Sequence, residues 1–237
     1  MQVLSAKLRP QLVALSLLTL CVPSRASDDC SVADTLINLW ISSARGYSSV
    51  LPTTAATRKE REFRTRDQVV LNGYSYSPAS QENETPAQQF IFLLQGSASS
   101  AAQLAETASG LALAAKREVF VYEYRGYGPG STVRPTAASI QKDIDDIIEH
   151  LSEDGRSGVV IGLSLGGVFA IHSLKHSRNG QLRALIDSAP AKVPAIPFTL
   201  NCPQWMDPIN AATADVIPRL GVLYSTEDGW SKDQAAS

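Results

Sequence analysis

A chain of 237 residues, 44% of them apolar and 19% charged, with a formal net charge of −2, has the size and balance of one α/β domain with a buried core. That composition argues against a disordered segment, a coiled coil or a multi-span membrane protein. No stretch interleaves Lys or Arg with aromatic residues, so nucleic acid is not an expected partner.

Residues 1–26 have the layout of an export signal. Lys7 and Arg9 precede an apolar core of 11 residues from Leu12 to Val22, which is short for a membrane span. Pro23-Ser24-Arg25-Ala26 then places small residues at 24 and 26, as cleavage after Ala26 requires. Leu20 before Cys21 is too large for a lipoprotein signal. The expectation is therefore an exported protein, periplasmic or secreted, with no stable membrane span after cleavage. Losing Lys7, Arg9 and Arg25 takes the formal charge from −2 to −5, which favours solubility. The remaining cysteines, Cys30 and Cys202, are a candidate disulfide in an oxidising compartment, or two separate thiols.

Residues 27–60 read as an N-terminal helix, with Val32, Leu36, Ile37, Leu39, Trp40 and Ile41 near one face, followed by a linker. Residues 61–237 read as the main domain. It opens on a β-hairpin over 62–67 and 69–76, followed by a polar loop over 78–88 that carries the sequon Asn83-Glu84-Thr85. Phe90-Ile91-Phe92-Leu93-Leu94 is a continuous apolar run, as in a strand covered on both faces. Residues 98–115 are Ala/Leu-rich and predict a helix, and 119–122 a second buried strand. Ile140, Ile144, Ile147, Ile148 and Leu151 share one face of an acidic helix over 140–151. Strands are predicted at 159–162, 182–186 and 220–224, with a helix over 168–174. This alternation implies a mostly parallel central sheet with helices on both faces. Residues 190–218, with Pro190, Pro194, Pro197, Pro203, Pro208 and Pro218, interrupt it and form a candidate small cap.

The densest signal is Gly162-Leu163-Ser164-Leu165-Gly166-Gly167, between an apolar strand and a small-residue helix. A Gly-x-Ser-x-Gly at such a junction is what a nucleophile elbow needs. The glycines remove side chains that would clash where the strand turns sharply into the helix, and the helix N-terminus favours negative charge near the serine. Active groups of parallel sheets collect beyond the strands' C-terminal ends. Those positions hold Gln95-Gly96-Ser97, Glu123-Tyr124-Arg125-Gly126-Tyr127-Gly128, Ser164, Asp187-Ser188 and Ser225-Thr226-Glu227-Asp228.

With Leu71-Asn72-Gly73-Tyr74 in the hairpin, these motifs resemble, in order and spacing, the α/β-hydrolase superfamily, and within it the lidless or small-lid serine hydrolases of the BEM46-like and serine-aminopeptidase-like (S33-type) groups. The resemblance covers about residues 62–230. It implies an α/β-hydrolase fold and cleavage of a small-molecule ester or amide through an acyl-enzyme. Ser164 would be the nucleophile, Asp228 the triad acid, and the amides of Ser97 and Leu165 the oxyanion hole. Gly162 and Gly166 would be the elbow glycines, and Tyr124 to Gly128 a structural turn. No metal or organic cofactor is implied.

The sequence departs from the family pattern in two places. Gln95 stands where the family usually has His, and no histidine follows Asp228 in this sequence. The last strand and helix of the fold are also expected to be absent, which would leave strand 220–224 as an open edge. Of the histidines present, His150 ends the acidic helix, and His172 and His176 read as solvated positions beyond reach of Ser164. The alternative to a serine hydrolase is a truncated or non-catalytic relative that acts as a binding protein.

Overall fold

The computed structural model describes residues 34, 37, 38, 55–78, 88–128, 133–177, 180–188 and 211–223. Residues 1–33, the sequon, Cys30, Cys202 and Asp228 lie outside the described residues. Among the described residues, seven strands form one sheet. They are β1 (Thr57–Arg64), β2 (Val70–Ser77), β3 (Gln89–Leu94), β4 (Glu118–Tyr122), β5 (Ser157–Leu163), β6 (Leu182–Asp187) and β7 (Leu220–Leu223). Their order is β1-β2-β4-β3-β5-β6-β7. The hairpin pairs antiparallel with itself and with β4, and every pairing from β4 to β7 is parallel. β1 starts at Thr57, inside the stretch read as linker, because the ladder with β2 runs without a break from Thr57 to Arg64. Its charges Arg58, Lys59, Glu60, Arg61 and Glu62 guard that sheet edge against further pairing. At the other edge, Val222 and Leu223 of β7 are exposed.

The helices α1 (Ala105–Ala115), α2 (Ala137–Leu151) and α3 (Leu165–His176) cover the sheet, and residues 34, 37 and 38 of the N-terminal segment are helical too. The apolar run of β3 divides between two core layers, as a period of two dictates. Phe90, Phe92 and Leu94 pack with Ile140, Ile144 and Ile147 of α2 and Phe169 of α3. Ile91 and Leu93 pack with Ala105, Ala108 and Ala112 of α1. Ile37 of the N-terminal segment joins the first layer.

The isoleucine stripe of α2 is buried as its spacing predicts. The helix starts three residues earlier than the stripe because Thr136 and Ser139 form a capping box. The opposite shift occurs in α1, expected from residue 98 but formed only from Ala105. Residues 98–104 make turns instead, since Gln103 accepts from the Ser100 N–H and the Glu123 carboxylate from the Ala101 N–H, both at 2.9 Å. These side chains compete with the helical ladder for the same donors.

The chain leaves β3 toward β4 on one side and crosses back to β5 on the other, so β3 and β5 flank the point where the strand order reverses. Crevices at such points collect ligands. Leu94 and Leu163 end the two strands there. Residues 190–210 of the stretch read as a cap lie outside the described residues, and 211–218 lead into β7. Arg219 donates to the carbonyl of Leu174, near the C-terminal end of α3 and away from Ser164. A parallel β7 requires this, because the chain must return to the opposite end of the sheet to begin it.

Candidate active site

Ser164 sits between β5 and α3 with φ 50° and ψ −116°, and its side chain is exposed. An L-residue is strained in that conformation, by about 1–3 kcal/mol. The surroundings hold it there. The Ser164 N–H donates to the Asp187 carbonyl at 2.9 Å, and its own carbonyl accepts from the Gly167 N–H at 2.9 Å. The helix starts so close under the strand that a Cβ on Gly162 would lie 2.3 Å from the Gly166 carbonyl oxygen. One on Gly166 would lie 2.6 Å from the Leu94 oxygen and 2.7 Å from that of Gln95. Both neighbours are backbone and yield little. Gly162→Ala is therefore expected to cost about 3 kcal/mol, the upper end for overpacking. Urea unfolding would read this as a lower midpoint at unchanged slope.

Beside Ser164 runs the loop after β3. A Cβ on Gly96 would stand 3.6 Å from the Ser164 Cβ, so this loop lines the same crevice. The Gly96 carbonyl accepts from the Ser99 N–H at 3.5 Å and the Ser99 hydroxyl at 3.3 Å. That fixes the peptide plane between Gly96 and Ser97, and with it the direction of the Ser97 N–H, opposite to the carbonyl. The turn after β4 supplies the rest of the support. The Tyr124 hydroxyl donates to the Gln95 carbonyl, and the Tyr127 hydroxyl to the Ser97 carbonyl, both at 2.9 Å. Tyr124 also packs edge-on against Tyr127 and Phe169, which ties the turn to α3.

Under this loop lies Glu123, 9% exposed. Besides accepting from Ala101, its carboxylate accepts from the Gln95 side-chain amide at 3.4 Å. Burial raises its carboxyl from 4.5 to about 7, against the lowering effect of these hydrogen bonds. Gln95 itself is fully buried, and its Oε1 accepts no hydrogen bond among the described residues.

Ser164, Leu165, Ser97, Gly162 and Gly166 thus gather at one end of the sheet, with an exposed hydroxyl at a helix N-terminus and a braced loop alongside. Asp228 lies outside the described residues, as does any pairing of Cys30 with Cys202. His172 was expected to be solvated and is 1% exposed instead, because α3 is buried on most of its circumference. It lies eight residues past Ser164 on α3, about 12 Å along the axis. His150 is exposed, pairs with Glu153 at 3.3 Å and stacks at a tilt on Phe63. It stands at the end of α2 that feeds β5, about 20 Å of strand away from Ser164. The supporting roles of Glu123, Tyr124 and Tyr127 escape a motif reading. The available signal is a carboxylate placed directly after the apolar run of β4, at the buried end of the sheet.

The profile of the family described as serine aminopeptidase, S33, matches residues 85–237. None of the curated proteins matches the chain in sequence. Among solved structures, an esterase from Pyrococcus furiosus aligns at 22% identity and a TM-score of 0.47, over 62% of this chain and 58% of its own. An α/β hydrolase from Novosphingobium aromaticivorans aligns at 19% and 0.47, over 60% and 48%. Prolyl oligopeptidase B from Galerina marginata aligns at 15% and 0.57, over 74% and 29%. The chain spans about half or less of the length of these structures, and at 15% identity the likeness to the oligopeptidase bears on fold alone. No helix of the described residues is long and apolar enough to cross a membrane.

Proposed function

The chain belongs to the serine aminopeptidase S33 family of α/β-hydrolases, and from that premise we propose that it is an exported serine hydrolase that cleaves an ester or amide through an acyl-enzyme on Ser164. The observation that carries this reading is the backbone of Ser164, held at positive φ with its side chain exposed over the start of α3. An exposed nucleophile at a sharp strand-to-helix turn requires such a conformation.

In this reading the Ser164 Oγ attacks the carbonyl carbon, and the carbonyl oxygen becomes an oxyanion. The N–H groups of Leu165 and Ser97 stabilise that charge, each worth about 3–4 kcal/mol in a site of this type. The bond to the leaving alcohol or amine breaks, and water then releases the acid from the ester of Ser164. The serine proton needs a base, and this reading requires a histidine beyond the given sequence, oriented by Asp228, to take that proton and pass it to the leaving group. None of His150, His172 and His176 fills that place, since His176 ends α3 twelve residues past Ser164, about 18 Å along the axis, and the other two lie at the distances above. The substrate is a small acyl compound, and export rests on the signal read in residues 1–26.

A fluorophosphonate probe tests the proposal. The expected result is covalent labelling of the folded chain at Ser164 and none in Ser164→Ala. A folded chain that takes no label sinks it. A second reading is a relative that binds a small acyl compound without turning it over. Hydrolysis of a p-nitrophenyl ester that disappears in Ser164→Ala would exclude that one.

A further inference from the structure

We propose that Glu123 is a positioning residue of the crevice: its buried carboxylate, acting through the Gln95 side chain and the Ala101 N–H, holds residues 95–101 so that the Ser97 N–H faces the Ser164 hydroxyl. The inference rests on the proposed role of Ser164 and concerns the loop beside it.

The geometry makes Glu123 the floor of that loop. Its two oxygens hold both ends, with Gln95 at the start and Ala101 at the end. Between them, Gly96 lies against Ser164 and Ser97 carries the N–H in question. The Glu123 N–H in turn donates to the Asn72 carbonyl at 2.8 Å, which anchors this floor to β2. Tyr124 and Tyr127 hold the same loop by its carbonyls, so the side-chain amide of Gln95 is the contact that a proton on Glu123 changes.

An ionised carboxylate only accepts, and its partners here, the Gln95 side-chain amide and the Ala101 and Ala102 backbone amides, are all N–H donors. A neutral carboxyl carries one O–H that must donate. The Gln95 Oε1 is the adjacent buried acceptor with no hydrogen bond among the described residues. Adding the proton therefore turns the Gln95 amide over, so that the Glu123 O–H donates to Oε1. The Gln95 peptide and the Gly96–Ser97 plane beyond it shift with it. The titratable groups facing Glu123 are the phenols of Tyr74 on β2 and of Tyr124 and Tyr127 on the following turn. Burial raises all three above the ordinary phenol value, so they keep their protons at neutral pH. Glu123, raised to about 7, is the group of this cluster that changes charge there.

Nuclear magnetic resonance on the full chain from pH 5 to 9 tests this without any turnover. The Glu123 carboxyl carbon, the Gln95 side-chain amide and the Ser97 backbone amide are expected to titrate with one shared midpoint. In Glu123→Gln, whose amide N–H donates to Gln95 Oε1 as a neutral carboxyl would, both amides stay flat near the acid limit of the parent. The variant is expected to label with fluorophosphonate about tenfold more slowly at pH 8, less than the loss from deleting an oxyanion donor outright. A Ser97 amide that stays flat while Glu123 titrates overturns the proposal, and the parent protein alone decides that point if the variant does not fold. Labelling of Glu123→Gln at the parental rate overturns it too. If the Ser97 amide follows Glu123 but Ser164 never labels, the positioning role stands and the hydrolase reading falls.

Discussion

A Ser164→Gly variant is expected to take up no fluorophosphonate and yet to unfold a few degrees above the parent. The first half follows from deleting the hydroxyl. The second follows from backbone physics. At φ 50° and ψ −116° a Cβ costs about 1–3 kcal/mol, which glycine does not incur. Glycine gives back about 0.5–1 kcal/mol through the greater freedom of the unfolded chain. The balance is about 1 kcal/mol in favour of the variant, or roughly 2–4 °C for a domain of this size. Ser164→Ala serves as the control. It also loses the label but keeps the Cβ, so it gains no comparable stability. A glycine variant that melts at or below the alanine variant would show that the strain at residue 164 is not stored in the folded state. The result would then weaken the case that this turn is held for chemistry.

The same comparison of local preference with tertiary demand explains what could be read from residues alone. The strand positions followed from uninterrupted apolar runs, and α2 from isoleucines at helical spacing, because burial on one or both faces imposes those patterns directly. The crevice was legible for a similar reason. Gln95-Gly96-Ser97 and Ser164 each follow an apolar run, and parallel strands bring such ends together. What stayed hidden depends on side chains that meet far from one another in sequence. The Ala/Leu content of 98–104 carries helix propensity, but Glu123, 22 positions from Ala101, captures an N–H there and delays the helix to Ala105. The tyrosines of the turn after β4 look like packing residues, and their hydroxyls matter only because β4 lies beside β3. His172 looked solvated because a histidine on a helix usually is, yet its position shares the circumference of a helix packed on the sheet and α2. Asp228 belongs to neither class, since it lies outside the described residues.

Replacing Arg125 with leucine is expected to cost about 3–5 kcal/mol at neutral pH. Arg125 stands in the turn that braces the crevice, but its guanidinium serves the fold. It donates from Nε to Asp143 Oδ2 at 2.6 Å and from Nη2 to Asp143 Oδ1. It also donates to both oxygens of Asp67, at 2.8 and 3.0 Å. One side chain thus joins the β1–β2 turn, the turn after β4, and α2. The two carboxylates differ in burial, with Asp143 at 3% side-chain exposure and Asp67 at 44%. Asp67 is held well below the usual carboxylate range, first by Arg125 and then by Thr65. For Asp143 burial outweighs the arginine, and its carboxyl is raised. Without Arg125, Asp67 returns to solvent at little cost, whereas Asp143 becomes a buried carboxylate with no cation beside it. The pH dependence identifies which loss dominates. An aspartate whose folded pKa is raised penalises the fold above its unfolded value, and the penalty fades as pH falls and the folded state takes up a proton. The deficit of Arg125→Leu is therefore expected to shrink between pH 7 and pH 4.5. Asp67 acts with the opposite sign, since a depressed carboxylate stabilises the fold above its unfolded value and loses that contribution as pH falls below it. Arg125→Leu combined with Asp143→Leu should recover most of the lost stability, because an apolar pair of similar volume replaces a buried ion pair with little change. Urea unfolding of the single and double variants at both pH values measures all of this. A deficit that is equal at the two pH values, or a double variant no better than the single one, would place the cost in lost packing of the arginine stem rather than in the stranded charge of Asp143.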